Sequence, residues 1–424
     1  MAGINEFNVI AGWKEEGHDL IGSCRIVSAR GNEIISFEYD KDWLLNNPSL
    51  MLDPLLFMTT GKQYPPVESA SFGFLSDIAP DRWGRKLIDR REEILAKEES
   101  RPKKTMMFSD YLMGASDFTR QGGIRIKVNN TFQAESQPMD VPPVEDIRSI
   151  ENASVELEKG NNPSVWVKKL LAPGSSLGGA RPKANLREVD GSLWIAKFPS
   201  VNDEFDIGAW EMVAHDLALK CGIHVPEAKI IKLSKHGSTF LVKRFDRELT
   251  QEAIMKRTHY ASAMTMLGET DGDSDRSYLD LLEIIEKICG NKVDLDIKEL
   301  WHRLIFNVCI SNTDDHLRNH GFLLNPDNSW ALAPAFDVNP NPDKDHLALK
   351  IDFSSGEKDL SAVYNVHDYF RIPEDEAKSD IRRIADTVAR NWGFLAGKYG
   401  ISRSEQSEMK ECFAQSEKAG SLFR

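Results

Sequence analysis

The amino-acid sequence predicts an α+β fold with two lobes and an added N-terminal β-rich subdomain. Residues 8–10 and 34–39 alternate apolar and polar side chains, which is typical of half-buried strands. Residues 204–220 instead place apolar side chains on one face of a helix. After Phe245 the pattern becomes mostly helical to the end. Because 424 residues are too many for one ordinary core, we expect several packed units.

The order of the predicted elements supports a division of the chain into three parts. The elements are a helix near 80–90, a strand near 122–126, a polar connector over 129–143, a helix over 144–159, a glycine-rich turn over 174–183, and strands over 193–198, 228–233 and 239–245. We therefore predict an N-terminal β-rich subdomain over 1–125, a small lobe over 126–245 and a helical large lobe over 246–424. A small β-rich lobe followed by a helical lobe is the order found in kinase-like folds.

Composition restricts the class of protein. Hydrophobic residues make up 41% and charged residues 28% of the chain, which is typical of a soluble globular protein. No run of eighteen apolar residues and no signal peptide is recognised, and the five cysteines lack metal-site spacing. A cytoplasmic location with no membrane contact is therefore expected. The net charge of −13 argues against a basic face for DNA, although contact with DNA through a partner stays open.

The sharpest chemical signal is the spacing between Asp314 and Asn319, which is the D-x-x-x-x-N spacing of a kinase catalytic loop. Phosphoryl transfer needs a carboxylate to orient and deprotonate the attacking hydroxyl, and an amide oxygen to hold Mg²⁺. Asp337 follows a predicted hairpin return, where a second metal-binding carboxylate is expected. No glycine follows Asp337 as it does in a DFG segment, since Val338 and Asn339 stand in that place. Taken alone, the spacing also fits a capped turn with solvated carboxylates.

Upstream residues supply the other parts of a nucleotide site. Lys197 lies in the middle of an apolar strand, and Glu211 on the next helix could pair with it. A lysine that extends its side chain from a strand edge is the alternative. The glycine-rich turn over 174–183 offers backbone amides to phosphate oxygens, although it can also be an ordinary loop.

The two histidines of the same loop raise a second possibility. His316 and His320 have an H-x-x-x-H spacing, but a zinc site would need a third ligand and a helix through this segment. Gly321 and the competing kinase spacing argue against zinc. We expect His316 to help fix the catalytic loop.

With these residues together, the sequence resembles the HipA family of bacterial serine/threonine protein kinases over nearly its whole length. The resemblance rests on SLGGARPK at 176–183, WIAKFP at 194–199, LVKRFDR at 241–247, NTDDHLRN at 312–319 and APAFD at 333–337. FEYDKDWL at 37–44 and DFTRQGG at 117–123 are similar to the N-terminal subdomain of the family. It implies a two-lobed protein-kinase-like fold of the HipA type.

The resemblance also implies roles for individual residues. Asp314 would be the catalytic base, and Asn319 with Asp337 would hold Mg²⁺. The residues that would contact ATP are Gly178, Gly179, Ala180, Arg181, Pro182, Lys183, Lys197, Glu211, Lys243, Arg244, Phe245, His316, Asn319 and Asp337. The three at 243–245 would form the hinge that faces adenine with its backbone. Ser176 matches the serine that family members autophosphorylate, and Ser175 is the adjacent alternative.

The resemblance further implies the toxin half of a toxin–antitoxin pair. The partner would be a small HipB-like helix-turn-helix antitoxin that binds operator DNA, so this chain would meet DNA only indirectly. Characterised relatives phosphorylate aminoacyl-tRNA synthetases. Two other functions stay open from the sequence, namely a small-molecule kinase of related fold and a catalytically silent co-repressor.

Overall fold

The computed structural model describes residues 6–15, 17–29, 32–67, 69, 71–133, 141–160, 181–251, 254–270 and 275–422. Its strands are β1 Glu6–Ala11, β2 Leu20–Ala29, β3 Asn32–Tyr39, β4 Ile124–Val128, β5 Thr131–Phe132, β6 Lys183–Arg187, β7 Leu193–Lys197, β8 Ala228–Ser234, β9 Gly237–Lys243, β10 Arg247–Leu249, β11 Met255–Arg257, β12 Tyr260–Ser262, β13 Gly321–Leu324 and β14 Trp330–Leu332. Its helices are α1 Lys41–Asn46, α2 Gly73–Asp77, α3 Arg82–Glu98, α4 Phe108–Gly114, α5 Ile147–Glu158, α6 Ile207–Cys221, α7 Ala263–Met266, α8 Tyr278–Ile288, α9 Val293–Cys309, α10 Leu360–Asn365, α11 Glu374–Lys398, α12 Arg403–Met409 and α13 Ala414–Leu422.

These elements agree with the periodicities in the sequence. The strand patterns at residues 8–10 and 34–39 become β1 and β3, and the helical pattern at 204–220 becomes α6. The part of the chain after Phe245 is mostly helical, as predicted, but it also contains the short strands β10 to β14. Within the described ranges, no helix is long and apolar enough to cross a membrane.

The chain forms two compact units. The first comprises Met1–Phe198, Asp246–Thr270 and Leu323–Asn328, and the second comprises Pro199–Phe245, Asp271–Phe322 and Ser329–Arg424. The predicted boundaries at 125/126 and 245/246 divide the chain into an N-terminal subdomain, a small lobe and a large lobe. This division stays a prediction.

The first unit is organised around a five-stranded antiparallel sheet in the order β3-β2-β1-β4-β5. Cys24 of β2 pairs with Phe37 of β3, and both side chains are buried because alternate residues of a strand point to one face. The ring of Phe37 makes edge contacts with Phe72 and Phe74. An aromatic core therefore covers one face of this sheet. The hairpin of β6 and β7 belongs to the same unit.

The second unit is built mainly from helices, together with the β8–β9 hairpin and the short strand β14. Helix α6 is buried along most of its length, and Asp206 caps its N-terminus by accepting from the amide of Ala209 at 3.2 Å. Gly222 ends the helix in the left-handed conformation, at φ 81°, which glycine adopts at little cost. Helices α9 and α11 contribute further buried side chains, among them Trp301 and Ile381. This helical framework supports the loop that follows α9.

Candidate functional site

The candidate catalytic loop, residues 312–319, leaves the end of helix α9 and is bonded back to it. The amide N of Asn312 donates to the carbonyl of Asn307 at 2.8 Å, and the Asn312 side chain donates to Asn307 Oδ1 at 3.1 Å. Ser311 has a left-handed backbone, at φ 52°, which is unfavourable for a residue with a Cβ atom. Surrounding hydrogen bonds must therefore hold this turn. The turn places Asp314 at the surface.

Asp314 and Asn319 are joined in one compact turn. The Asp314 side chain is 64% exposed, and its Oδ1 lies 3.3 Å from Nζ of Lys344. Asn319 is buried, and its Nδ2 donates to the backbone carbonyl of Asp314 at 3.1 Å. Because the amide nitrogen makes this bond, the amide oxygen points the other way and can face a cation. His316 is exposed, and its backbone carbonyl accepts a hydrogen bond from the backbone N–H of Asn319 at 2.8 Å.

The neighbouring Asp315 has the opposite environment. Its side chain is buried and accepts hydrogen bonds from the Tyr278 hydroxyl and from Nε2 of His320, the latter at 3.0 Å. Asn307 donates to the same Tyr278 oxygen at 2.8 Å. Burial alone would raise the pKa of Asp315, but the charge and hydrogen bonds of His320 and Tyr278 outweigh it and hold the pKa below its usual range. Asp315 is therefore a buried anchor of the loop, and Asp314 is the exposed carboxylate.

Sequence reasoning missed this anchor. It assigned the fixing of the loop to His316, whereas the buried histidine that binds an aspartate of the loop is His320. The H-x-x-x-H spacing was the only available signal, because Tyr278 lies 37 positions away from Asp315. Tyr278 and Asn307 had no local signal in the sequence.

Asp337 follows strand β14 and has a left-handed backbone, at φ 60°. A strained backbone at a non-glycine residue is more frequent at functional sites than elsewhere. Its neighbours Phe336 and Val338 line a small cavity together with Asn319 and Asp315. The structure thus brings the loop of Asn319 and the segment of Asp337 to one cavity.

The predicted hinge residues lie in the same unit. The ring of Phe245 packs on Phe336 with 5.7 Å between centroids. Lys243 Nζ lies 3.3 Å from Glu227, and the Lys243 amide donates to the Glu227 carbonyl at 2.8 Å. Arg244 is buried. The last hinge residue, Phe245, therefore contacts Phe336, the residue directly before Asp337.

The other predicted residues are described within their own units. Lys197 is half-buried at the end of β7, and it pairs in register with Lys183 of β6. The ammonium of Lys183 is buried and lies 3.1 Å from Asp81, whose other carboxylate oxygen caps helix α3. Glu211 is buried on α6. The pairing of Lys197 with Glu211 and the phosphate contacts of Lys183 stay predictions.

Part of the predicted nucleotide loop lies outside the described residues. These positions are Ser175, Ser176, Gly178, Gly179 and Ala180. Arg181 and Pro182, which follow them, are described and lead directly into β6.

The donor set fits a hard cation. Carboxylate and amide oxygens such as those of Asp337 and Asn319 are ligands that Mg²⁺ prefers, and Mg²⁺ usually takes few protein ligands and completes its shell with phosphate and water. No group of three or more His, Cys, Asp or Glu side chains that could hold a metal occurs in the described part of the chain. Two oxygen ligands beside a phosphate would therefore suit a Mg²⁺ site better than they would suit a zinc site.

Comparison with known proteins agrees with this architecture. A chain in the solved complex of HipA, HipB and operator DNA from the Shewanella oneidensis MR-1 toxin–antitoxin system superposes with a TM-score of 0.68. The two chains are 18% identical, and the match covers 98% of this chain and 97% of that one. At this identity the likeness shows the fold, and the predicted HipA-type α+β fold is confirmed.

Curated relatives match over shorter stretches. Y4dM of Sinorhizobium fredii, which is named provisionally as a kinase, is 26% identical over 163 residues, covering 36% of this chain and 38% of Y4dM. A protein of Haemophilus influenzae with a similar provisional name is 24% identical over 212 residues, covering 44% of this chain and 60% of that protein. The match thus spans less than two thirds of these relatives.

The family model described as the HipA-like C-terminal domain matches residues 175–392, which is just over half of the chain. This range contains the candidate catalytic loop, the hinge and Asp337. The chain therefore belongs to the HipA-like family.

Proposed function

We propose that this protein is an ATP- and Mg²⁺-dependent kinase that phosphorylates serine or threonine hydroxyls of a protein. The observation that carries the proposal is the geometry of the loop at 312–319. There, the side-chain amide of the buried Asn319 donates a 3.1 Å hydrogen bond to the backbone carbonyl of Asp314, whose carboxylate is exposed. The cavity that Asn319 shares with the neighbours of Asp337 supports a common role for the two segments.

Each residue then has a defined task. Asp314 orients the acceptor hydroxyl and takes its proton. Asn319 and Asp337 hold Mg²⁺, which supplies positive charge to the phosphates when it is bound. Lys197, oriented by Glu211, contacts the ATP phosphates, and the loop that ends at Lys183 covers them. His316 lies at the same turn as Asn319, and the backbone at 243–245 faces adenine. In this proposal residues 126–245 form the small lobe and 246–424 the large lobe.

We further propose that the protein acts as the toxin of a toxin–antitoxin pair. Support comes from its family and from the HipB and operator DNA in the solved structure of similar fold. A net charge of −13 suits a chain that meets DNA only through a helix-turn-helix antitoxin. The proposed target is a translation factor such as an aminoacyl-tRNA synthetase, in the cytoplasm.

Transfer of labelled phosphate tests the proposed kinase activity. The purified chain is incubated with γ-labelled ATP and Mg²⁺, with casein as a generic protein acceptor, and the label is mapped by mass spectrometry. We expect label on serine or threonine in the parent, none with Asp314→Ala, and a normal amount with Asp343→Ala, an exposed aspartate of the following segment. Equal labelling by the parent and Asp314→Ala would remove the proposal. Label found only in added kanamycin would favour a small-molecule kinase.

Autophosphorylation is tested in the same reaction. We expect the label on the chain itself to map to Ser176, or to the adjacent Ser175. A phosphoserine carries about −1.5 to −2 charges at neutral pH and would compete with ATP for the amides of the loop. The phosphorylated protein should therefore bind ATP more weakly, which a titration with a fluorescent ATP analogue measures. Full affinity in stoichiometrically phosphorylated protein would refute this self-inhibition.

A further inference from the structure

The segment that follows Asp337 is bonded at three backbone positions to the candidate catalytic loop and to Ser311, which directly precedes the loop. The amide of Asn341 donates to the carbonyl of Ser311 at 3.0 Å, that of Ala348 to Thr313 at 3.1 Å, and that of Leu349 to Asp315 at 3.0 Å. The side chains of residues 347, 349 and 351 are buried on one side of the segment. These bonds place the segment directly beside Asp314.

The same segment contains no hydroxyl side chain between residues 338 and 353. Its position therefore cannot be set by phosphorylation of a serine, threonine or tyrosine within it. The three backbone bonds hold it without such a modification, and the prolines at 340 and 342 further restrict the backbone. The tip of the segment, residues 342–346, is thus supported at both ends.

Lys344 stands at this tip and is 54% exposed. Its Nζ lies 3.3 Å from the Asp314 carboxylate, which is itself 64% exposed. An exposed ion pair of this kind contributes little to stability, because water screens it and two long side chains must be ordered. The pair therefore adds little to the stability of the fold, and it places the ammonium beside the proposed base.

We propose that Lys344 is a catalytic residue whose ammonium binds the phosphoryl group during its transfer. This inference rests on the proposed kinase function. A hydroxyl bonded to Asp314 lies about 2.7 Å from the carboxylate, and the phosphorus that it attacks lies about 3 to 3.5 Å further on. An ammonium that contacts the same carboxylate can therefore reach the oxygens of the transferred group.

In the transfer step, the acceptor oxygen forms a bond to the γ-phosphorus while the bond from that phosphorus to the bridging oxygen breaks. The electron pair of the broken bond leaves with ADP, and the hydroxyl proton passes to Asp314. Lys344 keeps its proton and donates hydrogen bonds to the phosphoryl oxygens, where negative charge is concentrated in the transition state. Its contribution should appear in kcat more than in the KM for ATP.

The experiment measures ADP production by the full chain with Mg²⁺ and ATP, with casein as acceptor. Lys344→Gln should lower kcat on the order of 10²-fold and leave the KM for ATP nearly unchanged. Lys344→Arg should recover most of the rate, because it restores a cation at the same position. Lys350→Gln is the matched control, since this lysine of the same segment pairs with Asp275 and should retain the parental rate.

Three results would overturn the inference. A rate for Lys344→Gln close to that of the parent, while Asp314→Ala is inactive, would remove Lys344 and leave the proposed function standing. A rate above that of the parent would mean that the ion pair only shields Asp314. A parent that produces no ADP would overturn the inference and the proposed function together.

Discussion

Replacing Asp315 with alanine tests whether the buried bonds beneath the candidate catalytic loop hold it in place. The replacement removes the acceptor of two buried donors, the Tyr278 hydroxyl and Nε2 of His320. Asp314→Ala is the matched comparison, because the side chain of the adjacent aspartate is 64% exposed and its carboxylate pairs with the exposed Lys344. The two substituted residues are adjacent in the chain, but Asp315 is buried whereas the side chain of Asp314 is 64% exposed.

The expected magnitudes follow from these environments. Each buried donor left without a partner costs about 1–3 kcal/mol, and Asp315→Ala leaves two such donors. We therefore expect Asp315→Ala to lower the free energy of unfolding by about 2–6 kcal/mol. At about 2 °C for each kcal/mol, the melting temperature should fall by roughly 4–12 °C. Asp314→Ala should cost about 0–1 kcal/mol.

The assay combines thermal unfolding, followed by circular dichroism, with ADP production. Asp314→Ala should melt within about 2 °C of the parent and lose its activity by roughly 10² to 10⁴-fold. Asp315→Ala should melt early. Since the pKa of Asp315 is depressed in the folded protein, its stabilising contribution is present above the unfolded pKa of about 4 and is lost as pH falls through the lower folded value. The difference in melting temperature between the parent and Asp315→Ala should therefore narrow below about pH 4.

Two results would refute this reasoning. If Asp315→Ala melted with the parent at pH 7, the buried bonds would not anchor the loop. If Asp314→Ala were destabilised as strongly as Asp315→Ala, the exposed aspartate would have a structural role that its environment does not explain.

Three further predictions concern metal, pH and a buried ion pair. ATP should raise the melting temperature more with Mg²⁺ than with EDTA, and Asp337→Asn should abolish the difference, whereas equal stabilisation in both would exclude a metal-dependent site. Burial raises the pKa of Asp53 to about 6. The contribution of its protonated side chain to the free energy of unfolding is therefore complete below about pH 4 and is lost as pH rises through 6. The free energy of unfolding of Asp53→Asn, measured relative to that of the parent at each pH, should therefore rise by about 2 kcal/mol between pH 4.5 and 7.5, and a constant difference would contradict this. Lys183→Met should cost about 3–5 kcal/mol in denaturant unfolding because it leaves the Asp81 carboxylate without this buried cation. Lys232→Met is the control at about 0–1 kcal/mol, because this lysine is 62% exposed and lies 3.6 Å from Asp206.

The elements that could be predicted from the sequence are those with local causes. Helix α6 follows from apolar residues that recur on one helix face, and β7 from an apolar run bounded by turns. The spacing of Asp314 and Asn319 is also local. The two residues are five positions apart, and a 3.1 Å hydrogen bond from the Asn319 side chain to the Asp314 carbonyl closes the turn between them. The family could be recognised for the same reason, since its motifs are short, contiguous and ordered along the chain.

The sequence by itself therefore determined the fold class, the family and the loop that carries the candidate site. Only the tertiary structure decided that Asp315 is buried while Asp314 is exposed, because neighbouring identical residues have the same local signal. It also decided the partners of these residues, Tyr278 for Asp315 and Lys344 for Asp314, which lie 37 and 30 positions away. Burial and hydrogen bonding depend on which distant segments fold against a residue, and no local pattern contains that information.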